Sequence, residues 1–222
     1  MLSALSVSKK YLRRKGGKDY NYAVQDVSIN LEPGKIIGII GRSGSGKTTL
    51  LNMLSGLLKP SEGSIAFKGK DLYNLSDKEL SKLRNECFGV VPQGQTGIDS
   101  LTVLENILFP YILYPRESSC EKRALELMKR LGIEDLADAY PKELSGGELR
   151  RLAIARALIT SPKIVFADEP TGDLDDENTK VVLEIFWETA KNGSAVLLVT
   201  HEQDALSFSD EVLRMNAGHI VR

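Results

Sequence analysis

The segment GRSGSGKT at residues 41–48 constrains the fold of this chain more than any other feature. It follows the continuous apolar run KIIGII, which is typical of a strand buried on both faces, and it precedes a helical pattern from residue 47 to about residue 57. Strand, glycine-rich loop and helix in this order are the context in which G-x-x-x-x-G-K-[ST] cradles phosphates. The alternative is a chance glycine-rich turn. The sequence therefore predicts a phosphate-binding loop at the end of a buried strand.

The predicted loop offers several different groups to a nucleotide. Its glycines let backbone N–H groups wrap the phosphates, and Lys47 is expected to reach the β- and γ-phosphates. Thr48 is expected to give its hydroxyl to Mg²⁺, and Thr49 to contact the α-phosphate. The predicted nucleotide-binding residues of the loop are Gly41, Arg42, Ser43, Gly44, Ser45, Gly46, Lys47, Thr48 and Thr49.

Two adjacent carboxylates, Asp168 and Glu169, follow the apolar run KIVFA. Asp168 ends the predicted strand and is expected to hold Mg²⁺ through water. Because successive residues of a strand point to opposite faces, Glu169 can face the attacking water, and we assign it as general base. A strand end that only meets solvent is the alternative interpretation. The phosphate-binding loop in the same chain favours the catalytic one.

Two further polar residues follow apolar strands. Gln93 comes after FGVV, and its amide oxygen can ligate Mg²⁺ or hold a water, unless it is only a polar loop residue. His201 comes after VLLVT, where a neutral imidazole can bond a γ-phosphate oxygen and orient the water, unless it is a capping or core histidine. Strands alternating with helices imply a parallel sheet with right-handed crossovers, and ligands bind at its carboxyl edge. The loop, the carboxylates and His201 are therefore expected to converge there.

Residues from about 101 to 158 differ from the rest of the chain, because one helical pattern follows another. Near their end, LSGGE at residues 144–148 opens a helix with two adjacent glycines, whose free N–H groups suit an anion although no lysine accompanies them. An ordinary helix start is one interpretation. The other is half of a composite site, in which Ser145, Gly146 and Gly147 close on the γ-phosphate that the partner subunit's Lys47 holds.

The composition excludes several classes of protein. Among 222 residues, 29 Lys and Arg balance 30 Asp and Glu, and the net charge of −1 gives no general attraction to nucleic acid. The two cysteines have no metal-ligand or CxxC spacing, which indicates reduced cytosolic thiols. In the first residues the charges come after the apolar residues, whereas a signal peptide has the opposite order. No apolar run has close to the length of about 18 residues that a membrane helix needs. We therefore expect a cytoplasmic chain that does not itself span a bilayer.

Six motifs, in the same order, resemble those of the nucleotide-binding subunits of ABC transporters. GRSGSGKT resembles the Walker A motif, VVPQ the Q-loop, LSGGE the signature motif, IVFADE the Walker B motif, GDLD the D-loop and VTHE the switch histidine. The resemblance covers essentially the whole chain. The segment ADEPTGDLD resembles the subfamily that contains the ATPases of macrolide exporters, lipoprotein-release systems, bacitracin-type peptide resistance pumps and the cell-division FtsE type. One departure is Glu148, which stands where the signature usually has glutamine.

The resemblance implies an α/β fold, a P-loop NTPase with a mainly parallel core sheet, an N-terminal antiparallel β subdomain and an inserted α-helical subdomain. It implies one ABC ATPase domain over residues 1–222, with residues 1–92 and 160–222 as the core and about 93–159 as the helical subdomain. Tyr11 would stack on adenine, and Asp173 and Asp175 would act across a dimer. The signature residues that act on the partner's ATP would be Leu144, Ser145, Gly146, Gly147 and Glu148. The catalytic residues would be Glu169, His201 and Gln93, and Mg²⁺ would be held by Thr48, Gln93 and Asp168.

The resemblance also implies partners. ATP and Mg²⁺ would drive formation of a homodimer, and the dimer would power a separate transmembrane permease subunit. The chain would contact the membrane only through that permease, on the inner face of the cell membrane, and would bind no nucleic acid. The permease is expected to dock near the apolar stretch at residues 106–117, which Pro110 and Pro115 break. The core of the helical insertion explains the same stretch, and both interpretations can hold.

Other interpretations stay open from the residues alone. A signalling ATPase, whose membrane partner activates a cell-wall hydrolase or senses a peptide, would share every residue named above. A ribosome- or DNA-acting ABC ATPase usually has two cassettes or a long coiled coil, whereas this chain has one cassette and no sustained heptads. The basic segment KKYLRRKGGK either meets phosphates or lipid headgroups or is a solvated turn between two strands.

Overall fold

The structure is a computed structural model that describes residues 1–12, 20–94, 96–114 and 120–221, with the side chains of residues 203 and 204 left undescribed. The basic residues between 13 and 18, and Pro115, lie outside the described residues. The strands are β1 Leu2–Leu12, β2 Tyr20–Leu31, β3 Ile36–Ile40, β4 Glu62–Phe67, β5 Lys70–Asp71, β6 Phe88–Val91, β7 Ile164–Asp168, β8 Ala195–Val199, β9 Glu211–Asn216 and β10 His219–Val221. The helices are α1 Lys47–Leu54, α2 Asp77–Cys87, α3 Val103–Leu113, α4 Glu121–Arg130, α5 Gly146–Leu158, α6 Asp176–Lys191 and α7 Gln203–Ser207.

The described residues form an antiparallel sheet and a mainly parallel sheet, as predicted. The antiparallel sheet has the order β2-β1-β4-β5, and it carries the N-terminal part of the chain. In β2 the residues from Val27 to Leu31 alternate between buried and exposed, as a sheet with one covered face requires. This alternation is what the sequence pattern predicted.

The larger sheet positions the chemistry. Its order is β10-β9-β3-β8-β7-β6, and the strands from β9 to β6 run parallel while β10 returns as a hairpin. The strands β3, β8, β7 and β6 are therefore neighbours, and their carboxyl ends meet at one edge. The segments that follow these four ends carry Gly41, His201, Asp168 with Glu169, and Gln93. The predicted convergence of motifs at one edge is confirmed by this strand order.

The core of the described residues consists of two clusters, one on each face of the larger sheet. In β7, Val165 and Ala167 face the cluster that includes α3 to α6, whereas Ile164 and Phe166 face the cluster that includes α1 and the antiparallel sheet. All of them are buried, since both faces of a parallel sheet are covered. Edge-to-face packing of Phe88 on Phe166, with ring centroids 5.4 Å apart, adds a directional contact. The rigid sheet thus fixes the carboxyl edge.

Helices α3, α4 and α5 lie between β6 and β7, where the sequence predicts a helical insertion. Among the described residues, α3 and α5 both begin with a capping box: Thr102 with Glu105, and Ser145 with Glu148. The predicted apolar face of α4 is buried, with Ala124 as one of its members. Among the described helices, none is both long and apolar enough to cross a membrane.

Two details of the predicted helices are wrong. Helix α1 ends at Leu54 rather than near residue 57, because the N–H groups of Leu57 and Leu58 both donate to the carbonyl of Asn52 and close the last turn. Pro110 does not end α3, which continues to Leu113. The carbonyl of Pro110 accepts a bond of 2.9 Å from Asn85 Nδ2, so the helix is held in place from outside at this point.

Candidate active site

A cleft of about 800 Å³ opens at the carboxyl edge of the larger sheet. It brings together most of the residues that the sequence singled out. The predicted residues that line it are Gly41, Arg42, Ser43, Gly44, Gly46, Lys47, Thr48, Thr49, Gln93, Asp168, Glu169, Asp173 and His201. The cleft is therefore formed by the loops after β3, β6, β7 and β8, as strand order requires.

The loop between β3 and α1 is shaped around the Lys47 ammonium. Lys47 Nζ donates to the carbonyl of Gly41 at 2.8 Å and of Arg42 at 3.3 Å, which curls the loop back over the helix start. Gly46 precedes the helix and has no side chain to cap it, so the first N–H groups of α1 remain open for an anion. The Ser45 Oγ atom is buried and has no hydrogen-bond partner among the described residues. Together these groups form a cradle for phosphate oxygens.

Asp168, the last residue of β7, fits the predicted metal site. Its side chain is buried, and burial raises the pKa of the carboxyl above its ordinary value, while a hydrogen bond with Thr48 acts in the opposite direction. Its Oδ2 atom has no hydrogen-bond partner among the described residues. A buried carboxylate oxygen of this kind, beside a threonine hydroxyl and the amide of Gln93 in one cleft, provides the oxygen donors that Mg²⁺ prefers. The residues present therefore fit a magnesium ion.

Glu169 and His201 form a close pair across β7 and β8. His201 Nδ1 lies 2.8 Å from Glu169 Oε2, and the carboxylate raises the pKa of the imidazole. The His201 side chain is 70 % exposed and that of Glu169 15 % exposed, so the histidine can still meet a ligand. Strand alternation does not explain how Glu169 is aimed, because β7 ends at Asp168 and Glu169 has φ +50°. Its N–H donates to Val199 O at 2.8 Å, which anchors this left-handed turn and points both carboxylates into one cleft.

The segment LSGGE lies outside the lining of this cleft. Gly146 and Gly147 form the first turn of α5, Ser145 is exposed, and Leu144, like the glycines, is only half-buried. Glu148 Oε2 accepts from the Ser145 N–H and from its hydroxyl, each at 2.7 Å, and these bonds lower the pKa of the carboxyl. Among the described residues, none of the segment LSGGE lines the cleft.

Three residues that the resemblance assigned lie in different surroundings. Asp173 lines the cleft. Asp175 does not; it caps α6, where its side chain accepts from Asn178 N at 2.8 Å, and this bond lowers its pKa. Tyr11 lies on β1 opposite Asn21 with 47 % of its surface exposed, outside the cleft lining of the described residues.

The sequence reasoning missed Arg150, which also lines the cleft. Its guanidinium is buried and donates to Pro92 O and to Asp173 Oδ2. The signal available in the sequence was its spacing of three residues from Gly147, which puts both on one helical face. It also missed the bond of 2.5 Å from Thr171 Oγ1 to Glu202 Oε2, which joins the loops after β7 and β8.

The fold and the cleft define a class. A phosphate-binding loop, with an aspartate at the end of a neighbouring parallel strand and a carboxylate beside it, is the site of a P-loop ATPase. The model of the family described as ABC transporter matches residues 24–172, which is more than half of the chain. The chain therefore belongs to the ABC transporter family, and it is an ATP-hydrolysing cassette of that family.

Its relatives confirm the subfamily that the sequence indicated. The chain is 41 % identical, over 89 % of its own length and 89 % of the relative's, to the lipoprotein-releasing system ATP-binding protein LolD of Aquifex aeolicus. It is 35 % identical to the macrolide export ATP-binding/permease protein MacB of Chlorobaculum tepidum, matching 100 % of this chain but 34 % of that protein.

A solved structure matches the whole fold. The ATP-binding cassette MJ0796, solved as a dimer in a post-hydrolysis state bound to ADP and Pi, superposes with a TM-score of 0.92 at 36 % identity. The match covers 100 % of this chain and 97 % of that one. The expected fold, with its parallel core, antiparallel subdomain and helical insertion, is thereby confirmed.

Proposed function

We propose that this chain is the ATP-driven motor subunit of a transporter whose membrane-spanning subunit is a separate polypeptide, and that two copies close on ATP. One observation carries the proposal: the cleft collects the phosphate-binding loop, both carboxylates, Gln93 and His201, whereas the segment LSGGE is exposed or half-buried outside the cleft lining of the described residues. A second copy facing the first can supply that segment. The dimeric structures of the similar cassette MJ0796 support this assembly.

In the proposed reaction, the chain's own groups first bind and orient the substrate. Lys47 and the open N–H groups of the loop hold the β- and γ-phosphates of ATP. Thr48, Asp168 and Gln93 would hold Mg²⁺, which supplies charge neutralisation at the phosphates when bound. Because the site collects cationic and N–H donors around the negatively charged triphosphate, its main contribution is electrostatic stabilisation and positioning.

Glu169 and His201 act on the attacking water. Glu169 accepts a proton from the water while the oxygen of that water bonds to the γ-phosphorus. The bond between the γ-phosphorus and the β–γ bridging oxygen breaks, so that ADP and phosphate result. His201 positions the water and donates to a γ-phosphate oxygen. The contact of 2.8 Å between the two side chains holds the imidazole beside the base, and the Glu169 carboxylate raises the pKa of His201.

The second copy would complete the site with Ser145 and the two glycines. In the single chain the Ser145 hydroxyl is engaged by Glu148 at 2.7 Å, and it must turn from that carboxylate to reach a phosphate. The negative charge of Glu148 suits the start of α5, but it lies close to where a triphosphate would bind. We therefore expect slow closure and slow turnover relative to a variant with glutamine at residue 148.

The docking surface for the membrane subunit is proposed at the end of α3. Ile112 and Leu113 are 62 % and 54 % exposed, while Ile107 on the same helix is buried in the core. Leu113 borders a groove of about 610 Å³ that also includes Leu57 and Phe109. An amphipathic helix of the membrane subunit fits a groove of this chemistry. In this arrangement the chain lies on the inner face of the cell membrane and contacts it only through its partner.

The assembly is tested with the variant Glu169→Gln, which should bind ATP but hardly hydrolyse it. Light scattering should give the mass of one chain without nucleotide and of two chains with MgATP. The matched control Glu169→Gln combined with Lys47→Ala should remain a monomer, because the phosphate cradle is lost. A Glu169→Gln protein that stays monomeric with saturating MgATP would refute ATP-driven dimerisation of the isolated chain. Wild-type turnover in Glu169→Gln would refute the assignment of the base.

Docking is tested in cells of the source organism. Leu113→Asp should lower the fraction of the chain that is recovered with washed membranes, and it should leave the ATP turnover of the purified chain unchanged. Leu125→Asp is the matched control, since Leu125 is 51 % exposed on α4 and lies outside the groove lining. Equal membrane recovery of both variants would argue against this docking surface.

A further inference from the structure

Arg150 is a buried cation that the proposed chemistry does not use. It is the fifth residue of α5 and only 4 % of its surface is exposed, yet its side chain borders the nucleotide cleft. Burying a guanidinium is costly unless hydrogen-bond acceptors surround it. Its contacts therefore show what holds it there.

The guanidinium joins three segments of the chain. Its Nη1 donates to Pro92 O at 2.8 Å, immediately before Gln93, and its Nη2 lies 3.1 Å from Asp173 Oδ2. The remaining Nε has no hydrogen-bond partner among the described residues. One side chain of α5 thus holds the loop after β6 and the loop after β7.

A second contact, one turn earlier, reinforces this junction. Gly147 lies three residues before Arg150, so both are on the same face of α5. A Cβ atom at Gly147 would lie 3.0 Å from the carbonyl oxygen of Asp173, which means that the backbone after β7 packs directly against the helix start. The start of α5 therefore cannot shift relative to Asp173 without disturbing a close packing contact and an ion pair whose guanidinium is buried.

We propose that Arg150 is a positioning residue that transmits the state of the chain's own nucleotide cleft to the segment LSGGE that it presents to a second copy. This inference rests on the composite site proposed above. When Gln93 and Asp173 adjust to a bound nucleotide, the carbonyl of Pro92 and the carboxylate of Asp173 carry the guanidinium with them. Because α5 is a rigid element, displacement at Arg150 also moves Ser145 at its cap.

The test uses the Glu169→Gln chain at saturating MgATP, so that differences in ATP affinity do not enter. Arg150→Met removes the cation but keeps a long side chain, and the Asp173 carboxylate that loses its partner is 45 % exposed, so water can solvate it. Arg150→Lys keeps the charge, but a single ammonium cannot replace the planar fork that joins both acceptors. The matched control is Arg123→Met: the half-buried Arg123 also makes two hydrogen bonds, to the carbonyls of Leu158 and Ile159 at the opposite end of α5.

The measured quantity is the dissociation constant of the ATP-bound dimer. Both Arg150 variants should raise it about tenfold or more, the usual range of coupling between sites, and the Arg123 variant should not change it. In the chain that retains Glu169, Arg150→Met should lower kcat about tenfold and leave KM for ATP within about twofold, a split that general destabilisation would not produce.

Several outcomes would overturn the proposed role of Arg150. Dimerisation of both Arg150 variants as tight as that of the parent would overturn the inference, and so would an Arg150→Lys variant equal to the parent, since charge alone would then suffice. If the parent Glu169→Gln chain itself fails to dimerise, the composite site fails and the inference falls with it. If Arg150→Met does not fold, the milder Arg150→Lys carries the same comparison.

Discussion

The phosphate-binding loop owes its shape to a contact with the other sheet, and the substitution Gly46→Ala tests this dependence. Gly46 has φ +105°, a conformation that residues with a Cβ rarely adopt. A Cβ built there would lie 2.0 Å from the carbonyl oxygen of Ala23 in β2. That oxygen belongs to the backbone, so no side-chain rotation can relieve the overlap. Either the loop or strand β2 must move.

The expected loss of stability has two parts. The strained backbone costs roughly 1–3 kcal/mol, and forcing an extra carbon into a packed site costs about 1–3 kcal/mol. Together they predict a loss of about 2–6 kcal/mol in the free energy of unfolding, which for a domain of this size lowers Tm on the order of 10 °C. Gly44→Ala is the matched control, because Gly44 has φ +75° but no atom within 4 Å of its Cβ position. Gly44→Ala should lose only the part of the unfolding free energy that the strained backbone costs.

The assay is urea unfolding of the nucleotide-free chain, followed by circular dichroism, so that lost ATP binding does not contribute. We expect Gly46→Ala to be less stable than Gly44→Ala by about 1–3 kcal/mol, the overlap part alone. Equal losses in the two variants would refute the reasoning, since the contact with Ala23 would then contribute nothing. A Gly46→Ala chain as stable as wild type would refute both parts.

Three further predictions concern the cleft. Burial raises the pKa of Asp168, so the folded state loses stability as pH rises through the interval between the ordinary and the raised pKa. Asp168→Asn should therefore stabilise the nucleotide-free chain at pH 7 but not at a pH below the ordinary pKa range of the carboxyl, and urea unfolding at both pH values would measure this difference. Glu169→Gln removes the carboxylate that raises the pKa of His201, so the histidine should titrate at lower pH in an NMR titration, and an unchanged midpoint would contradict the pair. Gly147→Val should leave ATP binding by the monomer intact and prevent ATP-driven dimerisation in the Glu169→Gln chain, because the added side chain meets Asp173 O; light scattering showing a dimer would contradict this.

The sheet edge is predictable from sequence because its chemistry is local. Lys47, Asp168 and His201 each stand within a few residues of a buried strand, and the strands are recognisable as apolar runs. Parallel strands bring such ends together whatever the details of the packing. The capping box of Ser76 with Glu79, which starts α2, is local in the same sense, since both members lie within one turn.

Predictions fail where a long-range contact decides a local conformation. Alternation along a strand places Glu169 on the face opposite Asp168, but the chain has already left the strand, and the bond from its N–H to Val199 holds the residue at φ +50°. Asp175 has a local role that GDLD alone does not indicate, since its carboxylate accepts the N–H of Asn178 and caps α6; its action across a dimer stays a prediction. Neither outcome follows from residue types alone.

Arg150 shows the same limit. In the sequence it is one of two adjacent arginines on a helix, a pattern typical of a solvated face. Its burial depends on Pro92 and Asp173, which lie 58 and 23 residues away along the chain and meet only in the folded cleft. A buried ion pair is weak evidence for stability, because replacing both of its partners by apolar side chains of similar volume is often neutral or stabilising. Because the Arg150 guanidinium donates to acceptors on two separate loops, at Pro92 and Asp173, it is suited to hold both loops in a fixed position relative to α5.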